Sequence, residues 1–232
     1  MKLLLRTQNI LYRAVVLLLA IGSLVMGCLY KGAASDCGLN GVETIDDVYN
    51  LSVVLDYAWD TSNTGMIGTD YGVENATVIA LIKPTGRIKQ YEDSISQEFV
   101  VTEVIRGDAA ISAGETGHIF DYSGFSYSSG QIKYMNTLNL MQPGEAYLAF
   151  LEPSPLNSYQ SMSAYMLTTP VFGYIKVSGA ETTTLPANYQ SLSFDQLSNC
   201  EFFSVCPEIT EYLNRSYQDI LQTYLPPDSQ YF

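Results

Sequence analysis

The feature that most constrains the fold is a change in the spacing of apolar residues along the chain. Between residues 76 and 177 the apolar residues come in short runs of strand-forming types, separated by turns that contain glycine or proline. Such runs predict β-strands, because β-branched and aromatic side chains pack well on a pleated sheet. Helical spacing is found on the two sides of this region. The sequence therefore predicts a mainly β fold with flanking helices, of the α+β class.

Five or six strands are predicted. They are expected at 76–82, 97–105, 117–122 and 145–151, with a fifth, kinked strand over 164–177. Residues 131–135 are expected to run back alongside the third strand. The segment 83–86 (KPTG) is typical of a turn or a bulge, and Gly107 offers a position open to positive φ at the end of a strand. Pro143 and Gly144 are expected to form the turn that begins the next strand. This arrangement predicts a small antiparallel barrel.

The flanking helices follow from capping signals and apolar stripes. Thr44 and Asp47 resemble a capping box, and the apolar spacing after them predicts a helix over 44–59. Pro207 is the expected first residue of a C-terminal helix that ends before Pro226. We therefore expect the first helix and the barrel at 44–185, and a helical C-terminal extension, packed on the barrel, at 186–232.

The first 27 residues carry the pattern of an export signal. Residues 1–13 are basic, with no acidic residue, and an uncharged apolar run follows at 14–27. The run ends in 25–28 (VMGC), which resembles the bacterial lipobox, where the cysteine is lipidated and becomes the new N-terminus. We expect a lipoprotein signal peptide at 1–27 and lipidation at Cys28. An uncleaved anchor helix and a cleaved secretion signal are the alternatives that the sequence leaves open.

The same pattern predicts where the protein is found. The small, glycine-rich residues 28–43 are expected to be a tether between the membrane and the folded part. The basic end of the signal stays in the cytoplasm, so residues after the tether are expected outside it. The predicted location is extracytoplasmic, with a lipid anchor in the cell membrane.

Three of the predicted strands carry motifs that resemble those of exported bacterial proteins with an OB-like barrel. The motifs are 75–80 (NATVIA), 99–108 (FVVTEVIRGD) and 143–151 (PGEAYLAFL). The resemblance spans residues 74–177 and implies a barrel like those of netrin-like and metalloprotease-inhibitor domains. It implies no catalytic residue. In the inhibitors a cysteine-bearing N-terminus enters the protease, and the different setting of Cys28 and Cys37 here means that inhibition is not carried over.

Charge and cysteine content limit the chemistry. The chain has 24 acidic and 11 basic residues, a net charge of −13, which argues against a nucleic-acid partner. It has one histidine, so no multi-histidine metal centre is expected, and no metal or cofactor is predicted. Cys37, Cys200 and Cys206 are candidates for a disulfide in an exported compartment, and the sequence leaves their pairing open.

Two groups of residues are candidates for a site. Aromatic residues among serines are typical of adaptable binding surfaces, which predicts a ligand or partner face at Tyr122, Phe125, Tyr127 and Tyr134. His118 lies near Asp121, but strand alternation places the two on opposite faces, so we expect an exposed or edge-strand histidine rather than a catalytic one.

The sequence thus predicts a membrane-anchored, extracytoplasmic binding or interaction module with no catalytic activity. Its expected partners are the membrane, through the lipid anchor, and a cell-envelope protein or glycan. An extracellular protease inhibitor of the netrin-like type and a carboxylate-dependent hydrolase are the alternative functions.

Overall fold

The structure is a computed structural model. It describes residues 22–23, 42–55, 72–91, 94–107, 109–121, 131–134, 138–155, 163–169, 171–179, 181–186, 188–189 and 192–225. The chain divides into two compact units, Met1–Asn40 and Gly41–Phe232, and the second unit is described below. Among the described residues, no helix is both long and apolar enough to span a membrane.

The described part of the second unit contains ten strands and two α-helices. The strands are β1 (Ser52–Leu55), β2 (Val78–Tyr91), β3 (Ser94–Arg106), β4 (Thr116–Asp121), β5 (Gln131–Tyr134), β6 (Tyr147–Pro153), β7 (Ala164–Leu167), β8 (Tyr174–Lys176), β9 (Glu181–Thr184) and β10 (Cys200–Ser204). The helices are α1 (Phe194–Leu197) and α2 (Pro207–Tyr224), and 3₁₀ turns lie at Ile45–Val48 and Val73–Asn75.

Five of the strands close into a barrel. Their hydrogen-bonded order is β2-β3-β4-β7-β6, and β6 pairs again with β2. Neighbouring strands are antiparallel except β4 and β7, which run parallel. β8 is an additional strand beside β6. The fold is therefore mainly β and α+β, as predicted, and the barrel is compatible with an OB-like barrel, although it is mixed rather than antiparallel throughout.

The strand motifs are confirmed. β3, β4 and β6 lie within a few residues of their predicted positions, and Gly107 and Gly144 have φ of 91° and 88°. The kinked fifth strand is present as two pieces, because β7 pairs with the last residues of β6 and β8 with the first residues of β6. One pairing differs from expectation: β5 pairs in parallel with β1 instead of running back alongside β4.

β2 continues beyond Ile82, the residue at which the strand was expected to end. The β2–β3 register shifts between Pro84 and Ile88, so the segment with proline and glycine is a bulge inside a longer strand. The ladder to β6 ends at Ile82. Pro84 therefore lies where β2 has lost its β6 partner, a position at which a sheet tolerates proline.

The predicted helix over 44–59 is wrong. The capping box is present, since the Asp47 carboxylate accepts the Thr44 N–H at 2.9 Å, but the 3₁₀ turn ends at Val48. The chain then forms β1, in which Val53 is fully buried. Two adjacent valines favour a strand once β5 supplies a partner, and apolar spacing alone does not reveal that partner. Residues 56–59 lie outside the described residues.

The C-terminal segment contains the predicted helix and an additional strand. α2 begins at Pro207 and buries a stripe of residues that includes Ile209, Leu213 and Tyr217. Its last residue, Tyr224, packs its ring on Phe150 of β6 with the ring centroids 5.2 Å apart. Before α2, β10 is buried along its whole length and pairs in parallel with β9, which the helical prediction for this segment missed.

A buried asparagine connects several of these elements. Asn139 is 2% exposed, and its Nδ2 donates to the carbonyl oxygens of Leu197 at 2.7 Å and Cys200 at 2.8 Å. Its Oδ1 accepts the hydroxyl of Tyr134 at 2.6 Å, and its backbone carbonyl accepts the hydroxyl of Tyr174 at 2.7 Å. These bonds join β5, β8, α1 and β10 through one side chain and its carbonyl.

Candidate functional site

The outer side of β2, β3 and β4 carries a set of polar side chains that form one face. On β2 every second residue from 83 to 89 is exposed, and the residues between them at 84 and 88 are buried. This alternation places the exposed ones on the outer surface of the barrel. On the neighbouring strands Glu98 lies opposite His118. We call this set the three-strand face; it consists of Lys83, Thr85, Arg87, Lys89, Glu98, Thr116 and His118.

The β2 bulge shapes the face. Gly86 has φ of 85°, and a Cβ added there would lie 2.9 Å from Cγ of Pro143. A larger residue would therefore be strained at this position in both backbone and packing. On the other side of the bulge, Arg87 forms an isolated bridge with Thr44, and the Glu43 carbonyl accepts the Ile88 N–H at 2.9 Å. These contacts fix the bulge so that Thr85 and Arg87 share one surface.

Glu98 lies at the centre of the face. Its Oε1 accepts the hydroxyl of Thr85 at 2.9 Å and lies 3.8 Å from Nη1 of Arg87. Its Oε2 lies 3.9 Å from Nε2 of His118. The Glu98 side chain is 17% exposed, whereas that of Arg87 is 75% exposed. The arrangement thus presents an exposed cation beside a partly buried carboxylate.

The His118 side chain is 21% exposed, and it does not lie at a sheet edge, because β4 pairs with both β3 and β7. Burial lowers the pKa of its imidazole, the Glu98 carboxylate raises it, and Lys89 lowers it. The net shift is downward, so the imidazole is neutral at neutral pH, with one ring nitrogen that donates a hydrogen bond and one that accepts. The side chain of Asp121 lies outside what the structure describes.

The face is locally basic in an acidic protein. Seven of the 11 lysine and arginine residues lie beyond residue 42, and three of these, Lys83, Arg87 and Lys89, are on this face. The acids near them include Glu98, the exposed Glu43, and Asp47, whose carboxylate accepts the N–H groups of Glu43 and Thr44. Exposed cations next to hydroxyl and carboxylate groups can bind an anionic group and hydrogen-bond its neighbouring hydroxyls.

Only Tyr134 of the predicted aromatic face can be placed. Its side chain is 1% exposed, its hydroxyl is bonded to Asn139, and its ring packs edge-on to Phe203 with centroids 4.8 Å apart. Tyr134 is therefore a core residue and not part of a surface. Tyr122, Phe125 and Tyr127 lie outside the described residues, as does the predicted lipidation site Cys28, and these stay predictions.

The two described cysteines are free thiols. Cys200 is buried, with its Sγ 2.9 Å from Oγ1 of Thr183, and Cys206 donates from its Sγ to Glu208 at 3.0 Å. Burial raises the pKa of the Cys200 thiol. Cys37 lies outside the described residues, so its pairing stays a prediction.

A second titratable cluster surrounds Glu201 of β10. This side chain is 5% exposed, and its Oε1 accepts the backbone N–H of Lys176 at 3.2 Å. The Lys176 ammonium lies 3.0 Å from the Glu145 carboxylate. Burial raises the Glu201 pKa to about 8, although Lys176 lowers it. A carboxyl group enclosed in this way joins β10 to β8 and contacts the interior rather than the solvent.

Within the described ranges, no group of three or more histidine, cysteine, aspartate or glutamate residues is arranged to hold a metal ion. No protein-family model matches the chain, and no curated protein matches it either.

The sequence prediction missed the basic side of the three-strand face. It placed the end of the strand at Ile82, and so treated Lys83 as part of a turn. The signal was nevertheless present, because Lys83, Thr85, Arg87 and Lys89 occur at alternate positions, the period of one strand face. This alternation has meaning only if the strand continues through Pro84 and Gly86, as β2 does.

Proposed function

We propose that the protein is a membrane-anchored, extracytoplasmic binding module that uses the three-strand face to bind a component of the cell envelope. The lipid on Cys28 is the proposed anchor, and residues 28–43 are the proposed tether. Both follow from the sequence pattern of an export signal that ends in a cysteine. The anchor limits the module to partners at the membrane surface and in the adjoining envelope.

The observation that carries the proposal is the three-strand face itself. Barrels of the OB type bind ligands on the face of their second and third strands, which correspond here in barrel order to β3 and β4. Glu98 and His118 lie opposite each other on these strands, and the Arg87 guanidinium of β2 lies 3.8 Å from Glu98. Polar groups that converge on a rigid sheet are typical of a binding site.

The test is retention of envelope material by the full-length protein in detergent micelles. Thr116 is exposed on the face, and Thr116→Tyr adds bulk there without adding charge. We expect this variant to retain much less envelope protein or glycan than the wild type. The matched control is Gln222→Tyr on the exposed side of α2, which should bind as the wild type does.

Equal retention by the Thr116→Tyr variant and the wild type would exclude the face as the binding site. The predicted aromatic surface is then examined with Tyr122→Ala and Tyr127→Ala, and loss of retention there would move the site to that segment. The anchor is tested separately by the mass of the mature N-terminus, which should show a lipidated Cys28. An unmodified N-terminus at Met1 would disprove the lipoprotein proposal.

A further inference from the structure

The cations of the three-strand face form a row along β2. Lys83, Arg87 and Lys89 have the same parity on the strand, and all three are exposed. Residues two apart on a strand are about 7 Å apart, so the row extends over several residues of any ligand lying parallel to β2. A row of this kind suits a linear ligand with repeated charges better than a single small ion.

The charge balance of the row favours an anionic ligand. Glu98 is the carboxylate on the face itself and already accepts a hydrogen bond from Thr85, whereas the Asp47 carboxylate accepts the N–H groups of Glu43 and Thr44 beside Arg87. The Arg87 guanidinium, 75% exposed and 3.8 Å from Glu98, is close to that carboxylate but free to turn toward the solvent. Because the whole chain carries −13, a polyanion is repelled by the protein overall, and the row of exposed cations supplies a local attraction.

The surroundings of the row favour a sugar polymer over an acidic peptide. Extended peptides bind to sheets mainly by adding a strand at an edge. β3 and β4 have neighbours on both sides, and the part of β2 beyond its ladder with β6 is bridged to Thr44 at Arg87, so an added strand could pair only with the β2 residues beside that bridge. Thr85, Thr116 and Glu98 instead offer hydroxyl and carboxylate groups that pair with sugar hydroxyls. The seven residues of the face include no aromatic side chain for stacking nucleic-acid bases.

We propose that the three-strand face binds an acidic polysaccharide of the uronate type, with sugar carboxylates on Lys83, Arg87 and Lys89 and sugar hydroxyls on Thr85 and Glu98. A uronate repeat supplies both kinds of group on every sugar. This inference rests on the proposed function, since it names the ligand class of the same face.

The experiment measures binding of polygalacturonate to the full-length protein in detergent micelles by calorimetry, with neutral dextran as the reference polymer. Arg87→Gln is compared with Arg215→Gln, because Arg215 is also an exposed arginine, 69% exposed, beside a glutamate, at 3.4 Å from Glu211. We expect Arg87→Gln to weaken polygalacturonate binding up to about fivefold and Arg215→Gln to leave it unchanged. Replacing Lys83, Arg87 and Lys89 together with glutamine should weaken it at least about tenfold.

Added salt should weaken polygalacturonate binding, because exposed charges are screened. Equal binding of dextran, no binding of polygalacturonate, or equal losses in the Arg87 and Arg215 variants would each overturn the uronate proposal. Polyglutamate that binds as tightly and loses affinity in the same variants would also overturn it, in favour of an acidic polypeptide. In all these cases the proposed function stands if Thr116→Tyr still lowers envelope retention relative to Gln222→Tyr, so a failure of the ligand class can be distinguished from a failure of the proposed function.

Discussion

Replacing Glu201 with glutamine should remove much of the pH dependence of folding stability in the neutral range. Glu201 is 5% exposed on β10, and it accepts the Lys176 N–H of β8. Burial raises its pKa from 4.5 to about 8, Lys176 opposes the shift, and Glu145 adds to it. A glutamine is close in shape, keeps an oxygen that can accept the same N–H, and carries no charge at any of these pH values.

The sign of the effect follows from where the proton is held. In the unfolded chain the carboxyl group ionises near 4.5, whereas in the folded protein it keeps its proton to about 8. The folded state therefore binds more protons in this window, so this group's contribution is complete below 4.5 and is lost as the pH rises. Each pH unit in the window costs about 1.4 kcal/mol, giving a total on the order of 5 kcal/mol. That is a large fraction of a typical domain's stability, about 5–15 kcal/mol.

The assay is urea denaturation of the full-length protein in detergent micelles at a series of pH values from acidic to mildly alkaline. We expect the free energy of unfolding of the wild type to fall more steeply with pH than that of Glu201→Gln. The control is Glu181→Gln, which removes the same charge at an exposed position on β9 and should leave the wild-type slope unchanged. Parallel curves for the wild type and Glu201→Gln would refute the reasoning, because other titrating groups cancel in this difference.

Three further predictions concern the interior. Gly117→Ala should lower the free energy of unfolding, measured by urea denaturation, by about 1–3 kcal/mol, because a Cβ there would lie 2.5 Å from Cζ of Phe99. Wild-type stability of this variant would show that the Phe99 ring moves aside without cost. Asn139→Ala should lower the free energy of unfolding by on the order of 3 kcal/mol, because it leaves the buried partners of Asn139 unpaired. A melting temperature equal to that of the wild type would contradict this. Alkylation followed by mass spectrometry should modify half-buried Cys206 before buried Cys200, whereas equal rates would contradict the described packing.

The fold was predictable wherever local sequence and tertiary pairing agree. The motif at 143–151 combines a turn with a positive-φ glycine and a run of residues that are all buried in β6, so both signals indicate the same strand. At 44–59 they conflict, because a good helical stripe contains Val53 and Val54, which pair with β5, a segment almost eighty residues later. Pairing between distant segments is invisible to periodicity, and β10 was missed for the same reason.

The candidate site was less predictable than the fold. The aromatic surface was inferred from composition, but composition does not distinguish a tyrosine at a surface from Tyr134, whose hydroxyl has a buried partner in Asn139. The three-strand face depends on Glu98 and His118 being opposite each other, which is a matter of register between strands. Register is determined by the bulge and by burial of the opposite face, and neither can be read from one strand alone.

The position of the three-strand face follows from what α2 covers. Ile79 lies opposite Phe150 in the β2–β6 ladder, so the two side chains share one surface of the sheet, and the Tyr224 ring of α2 packs on Phe150. Ile79 and Lys83 have the same parity on β2, which means that the covered and the exposed residues lie on a single outer surface. Residues 78–82 are at most 1% exposed, and exposure begins at Lys83. The change from apolar to basic residues along β2 thus coincides with the limit of the covered part of the barrel, which leaves the basic half of the strand as the surface available to a ligand.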